Sequence, residues 1–186
     1  DTTGSIYFAY SKISDGVGCN SHNAVAAVES FIFFPSDRGV HVLQNTDKLS
    51  GVETDYVSIN IQTIWTTDIN FIRAKFMQAI YDINLNSYLL IFPPVGRNYP
   101  TDMFGFSIVA KKWYRWSDYN HTAILRRIDS QTRRIETIVC SEDGDVGYID
   151  EDVYSDYGTR YSASISSGII CPAGNPDENF VFKFIA

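Results

Sequence analysis

The chain has 186 residues, and its 15 Lys and Arg against 22 Asp and Glu give a formal net charge of −7. This acidic balance argues against tight binding to nucleic-acid backbones or to anionic membranes. Apolar residues form 45% of the chain and charged residues 20%, which excludes the disordered, collagen-like and disulfide-scaffold classes. The 12 Phe, 12 Tyr and 3 Trp, together with many Ile and Val, favour β-strands.

The chain shows no targeting or membrane-spanning pattern. Its first ten residues, DTTGSIYFAY, lack the basic start and apolar run of a signal peptide. No stretch approaches the roughly 20 apolar residues that a spanning helix needs. The three cysteines are far apart and lack the paired spacing of a zinc site, so we expect buried free thiols in a reducing compartment. They are Cys19, Cys140 and Cys171.

Four hairpins are predicted in chain order, because runs of apolar and aromatic residues are interrupted by clusters of turn-forming residues. Their turns are predicted at residues 35–39, 84–87, 110–112 and 130–131. A further turn at 142–145 leads to a short strand at 146–149. Between the first and second hairpins, residues 57–71 place Ile and Trp at helical spacing among many Thr and Asn, so we expect a short helix at most.

Segments of the chain resemble one another. FFPSDRGVHVL and VCSEDGDVGYI share strand, Ser, acid, Gly, Val and strand, and YDINLNSYLLIF and FSIVAKKWYRWS share two strands around a short turn. Short antiparallel strands repeating in this way are typical of β-propeller blades, and a sandwich of hairpins is the alternative. We therefore predict an all-β chain of antiparallel propeller blades over residues 1–170. Residues 171–186, which open on a Pro and Gly cluster, are predicted to start a following strand or domain.

The order of these features resembles that in the tail proteins of short-tailed bacteriophages. An Ile-Trp pair before two strands and an Asn-rich turn is found in QTIWTTDINFIRAKFMQAIYDINLNSYLLIFP. A strand, a basic turn and a Trp-aromatic-x-Trp element follow in FGFSIVAKKWYRWS. The family's Gly-Asp-containing blade is similar to VCSEDGDVGYIDEDVYSDYGTRYSASI, and its preceding blade to DGVGCNSHNAVAAVESFIFFPSDRGVHVL.

The resemblance covers nearly the whole chain and implies the nozzle, tubular or DNA-stabilisation group of tail proteins. That group carries a β-propeller and assembles as rings below the portal. About four blade-like units are too few to close most propellers, and the pattern is cut at both ends. We therefore expect this chain to be a piece of a longer product, or another chain to complete the sheet.

Few residues suggest chemistry. His22, His41 and His121 lie in different units without a second ligand at metal spacing, so structural roles are favoured. The acidic residues from Glu142 to Asp156 lack the spacing of an EF-hand, and turn formation explains them better. No phosphate-binding loop or nucleophile elbow occurs. No catalytic, metal or cofactor site is therefore predicted.

Ser36–Gly39 and Ser141–Gly144 partly resemble the aspartate boxes of sialidase blades, which mark a fold and carry no catalysis.

One positive region carries the candidate binding residues. Aromatic side chains interleaved with Arg can stack bases or sugars, so Trp113, Tyr114 and Trp116 are candidate stacking or interface residues. The favoured interpretation is structural, because Trp113 and Trp116 lie three apart and so on opposite faces of a strand, one in the core and one at an interface. The basic residues of this region are Lys111, Lys112, Arg115, Arg126, Arg127, Arg133 and Arg134.

We expect a non-catalytic structural component of a phage tail, made in the host cytoplasm and located in the virion. The expected partners are further copies in a homo-oligomeric ring and other tail and portal-adjacent proteins. DNA is expected to pass nearby without specific binding, repelled by an acidic lumen, and no membrane insertion is expected. The alternative is a propeller that binds or hydrolyses glycans on the host surface. An exposed cluster of Trp113, Tyr114 and Trp116 beside two carboxylates would favour it.

Overall fold

The computed structural model describes residues 17–45, 52–117 and 119–150, of which 45 and 52–54 by their backbone only, and the backbone of 155–156 and 159–160. The chain divides into two compact units, residues 1–150 and 151–186. The described residues of the first unit form three antiparallel sheets and one short α-helix, so the predicted all-β class is confirmed. Within the described residues, no helix has the length and apolar character needed to cross a membrane.

The first sheet is a four-stranded meander. A 3-10 turn at His22–Ala24 leads into β1 (Ala26–Val28), β2 (Phe31–Ser36), β3 (Gly39–Asn45) and β4 (Val52–Tyr56), each paired with the next. The predicted turn at 35–39 is too wide, because Pro35 and Ser36 pair with Val40 and Gly39 inside the β2–β3 ladder. Pro35 is tolerated there because its pairing with Val40 uses no backbone hydrogen bond: the N–H of Val40 donates to Ser58 Oγ, and its carbonyl accepts from the N–H of Val57.

A helical crossing connects the first and second sheets. It consists of a 3-10 turn at Ile59–Ile61, α1 (Gln62–Asp68) and a second 3-10 segment at Phe71–Phe76. The seven residues of α1 confirm the prediction of a short helix at most in 57–71. Its anchor is Trp65, which is fully buried and whose indole N–H donates to the carbonyl oxygen of Ser36 at 3.2 Å.

The second and third sheets are also meanders. The second contains β5 (Gln78–Asp82), β6 (Ser87–Phe92), β7 (Asp102–Ser107) and β8 (Lys112–Trp116). The second and third predicted hairpins are therefore halves of one sheet, so the four predicted hairpins occupy three sheets. The third sheet contains β9 (His121–Ile128), β10 (Ile135–Ser141) and β11 (Val146–Tyr148). In the second unit, β12 (Ser155–Asp156) and β13 (Thr159–Arg160) form an antiparallel pair.

The second sheet separates two apolar clusters. Side chains of a strand alternate between its faces. Tyr88 and Leu90 of β6 accordingly join a cluster with the first sheet, whereas Leu89 and Ile91 join another cluster with Ile124 and other residues of the third sheet. All six residues of β6 are buried. The three sheets of the first unit are therefore packed face to face in chain order.

The first strands of the three sheets lie next to one another, because β5 contacts both β1 and β9. The repeated segments FFPSDRGVHVL and VCSEDGDVGYI occupy the same place in this arrangement. Each forms the second and third strands of its sheet, β2–β3 in one and β10–β11 in the other. YDINLNSYLLIF and FSIVAKKWYRWS instead form the two halves of the second sheet. Their similarity is therefore that of two hairpins within one sheet, and they do not correspond to two separate sheets.

Candidate functional site

The three predicted aromatic residues lie on opposite faces of β8. Trp113 packs against the cluster shared with the first sheet: its ring centroid lies 4.9 Å from that of Phe106, and its indole N–H donates to the carbonyl oxygen of Val57 at 2.9 Å. Tyr114 and Trp116 pack against the cluster shared with the third sheet, with ring centroids 5.0 Å apart. The three rings therefore do not form one stacking surface.

Tyr114 and Trp116 belong to an aromatic row that joins the second and third sheets. Trp116 stacks on Tyr119 with centroids 5.8 Å apart, and Tyr119 lies 3.8 Å from the ring of His121. His121 also contacts the backbone carbonyl of Tyr119 through Nδ1. Burial raises the pKa of Tyr114, and its hydrogen bond with Ser87 opposes that shift. The row packs between the two sheets: Tyr114, Trp116 and Tyr119 are half-buried and His121 is buried.

Arg115 brings together two carboxylates that are distant in sequence. Its Nη1 lies 2.5 Å from Asp68 Oδ2, and its Nη2 lies 2.6 Å from Asp102 Oδ2. The guanidinium carbon also lies 5.8 Å from the ring centroids of Phe92 and Phe104. The pKa of Asp68 is lowered first by the Thr67 hydroxyl and then by Arg115.

The chemistry of this cluster is structural. Glycoside hydrolysis needs two carboxyl groups on either side of the scissile bond, one of them able to donate a proton. Asp68 and Asp102 are instead bound to the same guanidinium, which ties α1 to β7 and β8. Sequence reasoning missed this cluster, because residues 47 and 13 positions apart give no local signal.

A hydrogen bond joins His41 and Ser36, the residue types of a nucleophile and its base. His41 Nε2 lies 3.0 Å from Ser36 Oγ. Ser36 is fully buried, and its Oγ also accepts the backbone N–H of Arg38 at 3.0 Å, which stabilises the β2–β3 turn. Desolvation, followed by the charge of Arg38, lowers the pKa of His41. The pair therefore provides a buried turn contact with no access for a substrate.

The remaining candidate residues are dispersed. His22 is exposed on the first 3-10 turn, and the three histidines lie in different parts of the first unit. Within residues 17–45, 52–117 and 119–150, no three His, Cys, Asp or Glu side chains converge on one point. Cys19 is exposed and Cys140 half-buried, so the prediction of buried thiols is wrong for Cys19, which precedes the first sheet. Cys171 lies outside the described residues.

The acidic run begins in a tight turn. Gly144 has φ 94°, the left-handed conformation that glycine adopts without strain, and Ser141 Oγ accepts the N–H of Asp145 at 3.1 Å. The side chains of Glu142, Asp143 and Asp145 are exposed around this turn. The predicted turn formation is thus observed for residues 142–145. The side chains of residues 151–156 lie outside the described part of the chain.

The basic residues of the predicted positive region, apart from Arg115, gather at one end of the second and third sheets, which we call the basic end. Gln78, at the start of β5, hydrogen bonds with Thr122 and Ile124 near the start of β9. Beyond the other end of these strands, Asn84 donates to the carbonyl of Ile135 at 3.0 Å. The two strands are therefore parallel, and their following turns share one end. Its exposed cations are Lys111, Lys112, Arg126, Arg127, Arg133 and Arg134.

Comparison with known proteins adds no relative. No protein-family model matches the chain, and no curated protein matches it either. The resemblance to phage tail proteins therefore depends on the order of the quoted sequence motifs alone.

Proposed function

We propose that this chain is a non-catalytic structural subunit of the tail of a short-tailed bacteriophage, built from β-propeller blades. The observation that carries the proposal is the stack of three consecutive antiparallel meanders, each packed face to face on the next with its first strand beside that of its neighbour. A propeller repeats this arrangement radially, because each small sheet buries its faces against the next blade.

The distribution of side chains supports a scaffold role over a catalytic one. The aromatic residues singled out in the sequence pack between sheets, and Arg115 binds both neighbouring carboxylates. The chemistry-bearing groups are thus used to hold elements together. As a tail subunit, the chain would supply a rigid wall beside the DNA passage, and its net charge of −7 would limit adhesion of the phosphate backbone.

The proposal is tested by location and by turnover. We would label the chain with a specific antibody in intact particles produced by the genome that encodes it, and we expect density at the tail in electron micrographs. In parallel, the purified chain would be incubated with surface polysaccharide of the host, and we expect no release of reducing sugar.

Either of two results would overturn the proposal. Absence of the chain from the particles would remove the structural role. Sugar release by the purified chain, lost in the Asp68→Asn and Asp102→Asn variants, would establish the glycan-hydrolysing propeller in its place.

A further inference from the structure

The basic end combines unpaired cations with exposed aliphatic side chains. Arg127 pairs with Glu136 at 2.7 Å, whereas the other five cations make no ion pair with a described residue. Aliphatic side chains stand on the same turns and on the adjoining end of β9. They are Ile83, Val109, Leu125 and Ile128, exposed by 50%, 78%, 46% and 64%. Phosphate groups bind cations and gain nothing from contact with aliphatic side chains. The combination of cations and exposed aliphatic side chains therefore favours a protein partner over a nucleic acid.

The acidic groups at this end are fewer than the cations. Asp82 is buried and accepts the backbone N–H groups of Asn84 and Leu85. Asp129 accepts from the N–H of Gln131 and from the Thr132 hydroxyl. Together with Glu136 these are three carboxylates against six cations, so this end keeps a positive charge and the partner surface needs acidic residues of its own.

The opposite end of the third sheet offers the complementary chemistry. The turn between β10 and β11 exposes Glu142, Asp143 and Asp145. The strand that follows exposes Val146 by 67% and Tyr148 by 57%. We call residues 142–148 the acidic hairpin. The basic turn at 129–134 and the acidic hairpin lie at opposite ends of β10, about 20 Å apart, so they cannot meet within one copy.

We propose that the acidic hairpin of one copy docks on the basic end of a second copy. The contact joins two different surfaces, and repetition of such a heterologous contact produces a ring or an open filament. This inference rests on the proposed structural role and deepens it, since it names the surfaces through which subunits associate. Carboxylates meet arginines and lysines at the rim, and the aliphatic residues of both surfaces are removed from water.

Charge reversal tests the contact. We would measure the mass of the full chain by sedimentation at several concentrations, in about 0.05 and 0.5 M salt. The wild type is expected to associate, more weakly at high salt, because charge attraction is screened. Arg133→Glu/Arg134→Glu and Glu142→Lys/Asp143→Lys are each expected to weaken association at least about tenfold. A chain carrying all four changes is expected to recover association, because its two surfaces are again complementary.

A matched control reverses two exposed arginines elsewhere. Arg38→Glu/Arg97→Glu changes the charge by the same amount outside the basic end and is expected to leave association unchanged. Loss of association in the control, or persistence of full association in both test variants, would overturn the inference. So would a wild-type chain that stays monomeric throughout. None of these results affects the particle-location test, so the two proposals fail separately.

Nucleic-acid binding is the remaining outcome. A labelled duplex of about 30 base pairs would be titrated with the wild type and with Arg133→Glu/Arg134→Glu in a buffer of about 0.15 M salt. Duplex binding that is lost in the variant, without self-association of the wild type, would replace the proposed protein contact by a phosphate contact.

Discussion

The second and third sheets have the same meander topology, and their surroundings differ. Every residue of β6 in the second sheet is buried, whereas β9 in the third sheet is buried at Ile124 and exposed from Leu125 to Ile128. The second sheet has a neighbour on each face. In the third sheet, Ile124 faces the second sheet, so Leu125 faces away from it. Both sheets thus pair consecutive strands in the same way, whereas the burial of their side chains depends on which sheets pack on each face.

The largest effect is expected from a core truncation in the second sheet. Phe104 is 1% exposed, stacks on Phe92 at 4.4 Å and lies between Trp65 and Trp113. Phe104→Ala should lower the free energy of unfolding by about 3–5 kcal/mol, because it leaves a cavity among rings. Leu125→Ala on the third sheet should cost less than about 1 kcal/mol. Urea unfolding measures both, and equal losses would contradict the difference between the sheets.

A close approach inside the second sheet gives the next effect. Gly105 pairs with Tyr114 across the β7–β8 ladder, and a methyl group at Gly105 would overlap the tyrosine ring. Gly105→Ala should cost about 1–3 kcal/mol through displacement of that ring. The same change on a Tyr114→Leu background should cost clearly less, and additive losses in the double-mutant cycle would show that the ring is not the cause.

Backbone strain in the turn of the third sheet should reduce stability more than the truncation of the exposed Leu125 does. Gly144→Val places a β-branched residue at φ 94°, at a cost of about 1–3 kcal/mol. Gly18→Val is the matched control, since Gly18 has no positive φ and open space around it. The melting temperature should fall for Gly144→Val and stay near wild type for Gly18→Val. The sequence also predicts a turn glycine at Gly158, so Gly158→Val should destabilise the chain more than Asp152→Asn; both residues lie outside the described part.

The smallest effect concerns the outer face of the first sheet and depends on pH. The pKa of His41 is lowered in the folded chain, so the unfolded chain binds more protons near the ordinary pKa of 6.5. Stability should therefore be fully present above about pH 7 and decline as the pH falls through 6.5 towards the lowered pKa. In His41→Asn this decline should be reduced, whereas exposed His22→Asn should retain it. A wild-type stability that is flat between pH 8 and 5 would contradict the burial of His41.

The sequence by itself determined the four hairpins and most turns, whereas β4 (Val52–Tyr56) was not predicted. Alternating apolar and aromatic runs, broken by Gly, Asn and Asp, act within a few residues of the chain, so they identify hairpins correctly. The short helix at 62–68 was predictable for the same reason, because the spacing of Ile and Trp is also a local pattern. Even the opposite placement of Trp113 and Trp116 follows from strand alternation.

Only the tertiary structure decided which hairpins share a sheet and which faces are covered. Alternation states that a strand has two faces and does not identify the element that packs on each. The apolar run SYLLIF of β6 favours burial on both faces, and only the structure shows that the first and third sheets cover them. The contacts of Arg115 with Asp68 and Asp102, and the basic end with its exposed aliphatic residues, likewise join positions far apart in the chain. Such groupings arise from the packing of one sheet on the next, because the apolar faces of small sheets must be removed from water.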